Sequence, residues 1–166
     1  PDVKRAEIGN ALLTQMQRAT GTPCSSPSAN PALVALTRRM TLGEEPTYLA
    51  VMRAGVTEAI HIPGGAILLS RTMVEDYESP DVLAGYIIAE QVRRETRDPL
   101  RHLLENAGLV ATLRLLTTSR MPESAIEDHA KQLLTEEHAP LPTPALLARF
   151  ETLEIPSSTY GLAVED

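Results

Sequence analysis

Apolar residues recur at helical spacing through the first twenty positions. Val3, Ala6, Leu12, Leu13, Met16 and Ala19 fall on one side with polar residues between, which predicts an amphipathic helix ended by Gly21. A Pro/Ser loop follows over 22–30, and Asn30-Pro31 opens a second helix carrying Ala32, Leu33, Leu36 and Met40. Gly43 to Pro46 reads as a turn. Three short apolar runs then read as strands: 47–53 (T-Y-L-A-V-M-R), 57–62 (T-E-A-I-H-I) and 66–70 (A-I-L-L-S), the last two joined by Pro63-Gly64-Gly65.

The stretch 79–95 stands out. Ser79 suits an N-cap, Pro80 the first helical position and Asp81 the positive end of the helix dipole. Val82, Leu83, Tyr86, Ile87 and Ile88 form an apolar band too wide for a helix with a free outer face, so a central, largely buried helix is expected. That band runs straight into Glu90, Arg93, Arg94 and Glu95. Buried charge needs partners or a cleft beside it.

A short helix over 72–77 is expected to lead into this one. Beyond Asp98-Pro99, 100–118 reads as a helix with Leu103, Leu104, Ala107, Val110, Ala111, Arg114 and Leu115 on one dry side. Further helices are expected over 123–137 and 145–153, separated by Pro140, Pro142 and Pro144, with 157–166 as a tail. The order is helices, a small mainly antiparallel sheet, then helices: an α+β fold, mostly helical, beside a central buried helix. The chain reads as a single domain over 1–166, with N-terminal helices in 1–45, the sheet in 46–71, the central helix in 79–97 and C-terminal helices in 100–153.

A chain of 166 residues is long enough to bury a real core, roughly 70% of the unfolded chain's surface. Its formal net charge of −7 argues against a nucleic-acid partner. The longest apolar run, 82–89, is too short to span a bilayer, so no membrane span is expected. No signal peptide is visible, and Pro1 at the first position carries the expectation that the native start lies upstream. The single Cys24 has no disulfide partner and no second thiol for a metal site. The loop serines Ser25, Ser26, Ser157 and Ser158 have no G-x-S-x-G context. Gly64-Gly65 lies between strands, without the Lys or helix N-terminus of a phosphate loop. The histidines His61, His102, His129 and His138 lack i, i+4 pairing. A metal site built from His102, His129 or His138 with Asp128 or Glu137 is the weaker reading beside ordinary surface or core histidines.

Three segments in this order resemble one family. A-I-H-I-P-G-G-A-I-L-L-S resembles the hairpin of the HtpX-like zinc metallopeptidases, which are gluzincins related to the CAAX prenyl protease (metallopeptidase family forty-eight). L-A-G-Y-I-I-A-E-Q-V-R resembles their H-E-x-x-H helix, and S-A-I-E-D-H-A-K-Q-L-L their later E-x-x-A-D helix. The resemblance covers about the last two-thirds of the chain. In that family two histidines one turn apart and a later Glu hold Zn²⁺, and the Glu of H-E-x-x-H activates the bound water. Laid on this chain, the motif puts Ala89 and Arg93 at the two histidines, Glu90 at the general base, Ser124 at the third ligand and Asp128 at the family's Asp. A shift of one residue would bring Glu123 near the third position. Neither Ala nor Arg ligates zinc, and Ser does so poorly.

The resemblance therefore implies a catalytically inactive metallopeptidase-like protein without a metal cofactor. Its former cleft, with Glu90, Arg93, Asp128, Tyr86, Gly64 and Gly65, would receive an extended peptide or a partner protein. Arg93 can replace the metal as counter-ion to Glu90 and Asp128; the other reading turns Arg93 and Arg94 to water. If the strand 66–70 is an open edge, as in the family, it accepts a peptide by strand addition; if the chain's own loops cover the edge, it does not. Two alternatives stay open: an active zinc peptidase whose ligands come from other positions or a partner chain, and a cleft filled in, with Tyr86 helping to close it. The family also implies a bacterial envelope or periplasmic setting, which the residues do not specify.

Overall fold

Patterning and fold agree over most of the chain. In the computed structural model, which describes residues 2–43 and 47–165, α1 (Asp2–Thr20) and α2 (Asn30–Met40) precede β1 (Tyr48–Met52), β2 (Ala59–His61) and β3 (Ala66–Ser70). Then come α3 (Arg71–Asp76), α4 (Pro80–Thr96), α5 (Pro99–Thr118), α6 (Glu123–Leu133), α7 (Thr143–Thr152) and α8 (Ser157–Glu165). The turn expected over Gly43 to Pro46 falls mostly outside the described residues.

The three-stranded sheet has the order β1-β3-β2. β2 and β3 pair antiparallel across the Pro-Gly-Gly turn, with Ala59 opposite Leu69 and His61 opposite Ile67. β1 pairs with β3 in parallel, from Tyr48 opposite Ala66 to Met52 opposite Ser70. The sheet is thus mixed, and its longer ladder is parallel, where a mainly antiparallel sheet was expected. The chain leaves a gap between β1 and β2, and β3 fills it. The strand 66–70 is therefore the central strand, so it cannot be the open edge that the family resemblance implies.

β3 is apolar on both sides because both sheet faces are covered. Ile67 and Leu69 belong to a core cluster with Ile87 and Ile88 of α4, Phe150 of α7 and Tyr160 of α8. Leu68 belongs to a second cluster with Leu12 and Met16 of α1, Leu103 of α5 and Ile126 of α6. Burying each such side chain fully contributes about 1.5–3 kcal/mol. Gly64 sits in the left-handed region, at φ +86°, and a Cβ there would stand 2.8 Å from Ala6 Cα. The turn is pressed against α1, so Gly is required for both its conformation and its lack of a side chain.

Three expectations are corrected. Residues 157–165 form a helix rather than a tail. Its Tyr160 packs where a Cβ on Gly85 of α4 would come within 2.5 Å of the Tyr160 Cβ. α6 stops at Leu133. α5 is broken at Gly108, at φ 81° and ψ 177°, and the break turns Val110 outward, 81% exposed, away from the dry stripe expected for it.

Candidate functional site

α4 carries the charge conflict seen in the sequence into a cleft. Ser79 caps the helix by accepting from Asp81 N–H at 3.3 Å, and residues 84–92 are buried all round. The last turns meet β2 on one side and the loop after α6 on the other. Between them lies a cleft of about 350 Å³ lined by Ile60, His61, Pro63, Glu90, Arg93 and Arg97, with His102, His129, Glu136 and His138 among its other walls.

Glu90 is 1% exposed, and three donors meet its carboxylate. Oε2 accepts from the His61 backbone N–H at 3.1 Å and lies 2.7 Å from His61 Nδ1. Oε1 accepts from Arg93 Nη1 at 2.5 Å. Burial pushes the carboxyl pKa up, but His61 and then Arg93 outweigh it, and the net shift is below the ordinary value. Arg93 also donates through Nε to the Ala139 carbonyl at 3.0 Å. One guanidinium thus joins the central helix to the loop over the cleft.

That loop also covers the sheet edge. The Glu58 carbonyl and the Ile62 N–H bond to β3, accepting from Ser70 N–H at 2.8 Å and donating to Ala66 O at 3.0 Å. The intervening Ala59 carbonyl and His61 N–H therefore face outward. His138 Nε2 donates to the Ala59 carbonyl at 2.7 Å, and Glu90 accepts from the His61 N–H. A carbonyl only accepts, so His138 carries its proton on Nε2. On the far edge, Cys24 N–H donates to the Val51 carbonyl of β1 at 2.7 Å. Each sheet edge is engaged by the chain itself.

The floor of the cleft is a pair of histidines. The His102 and His129 rings meet edge to face with centroids 4.9 Å apart. His129 Nδ1 accepts from the Asn106 amide at 3.2 Å. Burial, followed by the nearby His102 and Arg97, pushes its pKa down to about 4, so the ring is neutral at ordinary pH. His102 is also shifted down: burial outweighs the opposing pull of Glu136. Its Nε2 lies 3.4 Å from Glu136 Oε2 but off the hydrogen-bonding direction, and has no hydrogen-bond partner among the described residues. At the rim Arg97 Nη1 donates to Glu136 Oε1 at 3.3 Å.

Of the residues singled out in the sequence, Glu90 and Arg93 line the cleft. Ala89 is fully buried in the α4 core cluster. Tyr86 lies in the same cluster, edge to face with Tyr160 at 5.1 Å, and is not part of the cleft wall. Gly64 and Gly65 form the turn against α1. Ser124 and Asp128 are exposed and line a second depression of about 320 Å³ with Asn106 and Gln132. No ion pair joins Arg93 to Asp128 among the described residues. Sequence reasoning missed the convergence of the histidines: all four in the chain line one cleft. Their separations, from 61 to 138, carry no local pattern that reveals it. His61 alone had a signal, as the polar position between Ile60 and Ile62 beside the turn.

The residues at the zinc-ligand positions do not fit the metal. Ala89 offers no donor, Arg93 is a cation already bound to Glu90, and Ser124 lies outside the cleft. Among the described residues, no three His, Cys, Asp or Glu side chains converge closely enough to hold a metal ion. Glu90 holds His61 as the acid of a nucleophilic triad holds its base, but no Ser, Thr or Cys lines the cleft to be activated. No family model matches the chain, and no curated protein matches it in sequence.

Proposed function

We propose that this protein is a non-catalytic binding module on a gluzincin-like scaffold. It would take a peptide or a segment of a partner protein in the cleft between β2, α4 and the loop after α6. The observation that carries the reading is the state of Glu90. The carboxylate that would activate water in the resembling peptidases is held by Arg93 and His61, and both of its oxygens are engaged. A base so occupied anchors structure rather than chemistry.

The outward backbone groups of β2 are also used, so the ligand is received by side chains and not as an added strand. Ile60, Pro63 and Leu133 offer apolar wall, while Arg97 and Glu136 offer charge at the rim. This suits a segment that brings an apolar residue flanked by charge. Selection from a displayed random-peptide library, with Arg97→Glu as counter-target, tests the reading. Enrichment of sequences that bind the native protein at least about tenfold better, a difference of about 1.4 kcal/mol, supports it. No enrichment, or sequences indifferent to Arg97→Glu, overturns it.

One observation favours a second reading. Four histidines on one cleft are unusual for a surface without chemistry, and they support a zinc hydrolase whose metal ligands come from these other positions or are completed by a partner chain. Elemental analysis after zinc loading and dialysis separates the two: stoichiometric zinc retained by the protein supports the second reading and sinks the first.

A further inference from the structure

The last ten residues of α5 are amphipathic with the wrong side out. After the break at Gly108 the helix keeps Ala111 buried and Leu115 packed on the core that α1 and α6 share. Leu109 (74% exposed), Val110 (81%), Leu113 (51%) and Leu116 (74%) point to solvent. These positions are spaced as one helical face. Isolated exposed apolar residues need no explanation, but a contiguous face of them marks a contact surface. The segment is bounded by two left-handed residues, Gly108 at φ 81° and Ser119 at φ 56°, so it is set off from the first half of α5.

Charge narrows the choice of what covers the face. The chain carries 22 acidic against 15 basic residues, yet residues 106–122 contain no Asp or Glu, and their charged residues are Arg114 and Arg120. The acids just outside are engaged: Glu105 pairs with Arg101 at 2.8 Å, and Glu123 accepts from Gln15 at 3.4 Å with Arg18 at 3.8 Å. The segment itself brings two arginines and no acid to an aliphatic face, which complements an anionic lipid surface; the exposed Asp128 of α6 lines the depression beside Val110 and bounds the face on that side. Protein contacts are anchored instead by Trp, Tyr and central Arg, and this face has neither aromatic ring nor central charge. A helix of this length, about 15 Å, would lie along a bilayer and not through it.

We propose that the outer face of residues 109–120 docks on anionic membrane surfaces, with Leu109, Val110, Leu113 and Leu116 entering the headgroup boundary and Arg114 and Arg120 meeting lipid phosphates. The inference stands apart from the reading of the cleft. The test is co-sedimentation with vesicles of three parts phosphatidylcholine to one part phosphatidylglycerol, beside pure phosphatidylcholine vesicles and with sedimentation velocity on lipid-free protein. The native chain should bind the anionic vesicles, and Arg114→Gln with Arg120→Gln should weaken binding roughly 30-fold. Leu113→Ser with Leu116→Ser should abolish binding; these side chains face solvent, so the fold is kept. Salt at about 0.5 M should release the protein substantially. Failure of the native protein to bind, equal binding to uncharged vesicles, or full binding by the leucine variant overturns the proposal. A lipid-free dimer that the leucine variant dissolves also overturns it and assigns the face to a second copy.

Discussion

Arg93 and Glu90, three residues apart on α4, form a partly buried ion pair whose guanidinium also holds the Ala139 carbonyl. The pair compensates a carboxylate that the core encloses, and it fastens the loop whose His138 covers the edge of β2. Charge compensation and closure of the sheet edge rest on one side chain.

Arg93→Ala should therefore be among the costlier substitutions, because it leaves Glu90 buried with His61 as its remaining hydrogen-bond partner and His138 Nε2 3.8 Å from the vacated oxygen. Breaking a buried pair from one side costs about 3–5 kcal/mol, whereas replacing both members by apolar groups is far milder. Urea denaturation should show Arg93→Ala losing that much, and Arg93→Met with Glu90→Leu losing clearly less. The depressed pKa of Glu90 contributes stability that is fully present above its ordinary value of 4.5 and is lost as pH falls through the lower folded-state value. Arg93→Ala should weaken that acid dependence. An unchanged stability and an unchanged pH profile would place Arg93 outside the lock.

His129 gives a pH dependence of the same sign from a base, because burial favours its neutral form. Its folded-state pKa lies near 4 against an ordinary 6.5, so between those values the unfolded chain binds a proton that the folded chain excludes. Stability should be flat above pH 6.5 and fall as pH drops from there toward 4, by about 2 kcal/mol over the window. His129→Gln should make this slope clearly shallower, leaving the part that His102 contributes through its own lowered pKa and the Glu90 transition. Thermal melts of both proteins across this range check it, and a native melting temperature flat across the window would contradict it.

How much of this was legible in the sequence depended on distance along the chain. The helix cap at Ser79, the Pro-Gly-Gly turn and the apolar band of α4 are local patterns, and the sequence showed them all. So was the need of Glu90 for a partner, since Arg93 lies one turn away. The parallel pairing of β1 with β3 was not visible, because local alternation says nothing about which strand fills a gap. α8 was missed because its one buried anchor, Tyr160, finds its partner 75 residues earlier at Gly85, and a short helix with a single anchor shows no periodic stripe. The histidine cleft was hidden for the same reason: it assembles from β2, α5, α6 and the loop beyond.

Rebuilding the zinc ligands is a strong test of the metal-free reading. Ala89→His, Arg93→His and Ser124→Glu together restore the residue types of the resembling motif. They do not restore a site, because Ala89 is enclosed by the core and Ser124 lines a separate depression. The triple variant should retain no zinc after dialysis. It should be destabilised by about 4 kcal/mol or more, from the lost ion pair and an oversized side chain at position 89. On the metal-free reading, chelators should leave the native melting temperature unchanged. Stoichiometric zinc in the triple variant would mean that α6 can turn Ser124 into the cleft.

The clearest test of the C-terminal packing is Gly85→Ala. A methyl group there meets Tyr160 Cβ at 2.5 Å and its ring at 2.6 Å, so α8 must move away or α4 must shift. Alanine favours a helix over glycine by about 1 kcal/mol, and overpacking costs about 1–3 kcal/mol. The two oppose each other. Because Gly85 lies in the rigid middle of α4 and α8 is the terminal element, relief comes through α8. Gly85→Ala should therefore leave the global unfolding midpoint within about 1 kcal/mol of native while loosening α8, seen as faster amide exchange in 157–165. Tyr160→Ala removes the ring that meets Tyr86 edge to face and Phe150 at a tilt and should cost about 3 kcal/mol or more. Slow exchange throughout α8 in Gly85→Ala would show that the helix is held by more than the Tyr160 anchor.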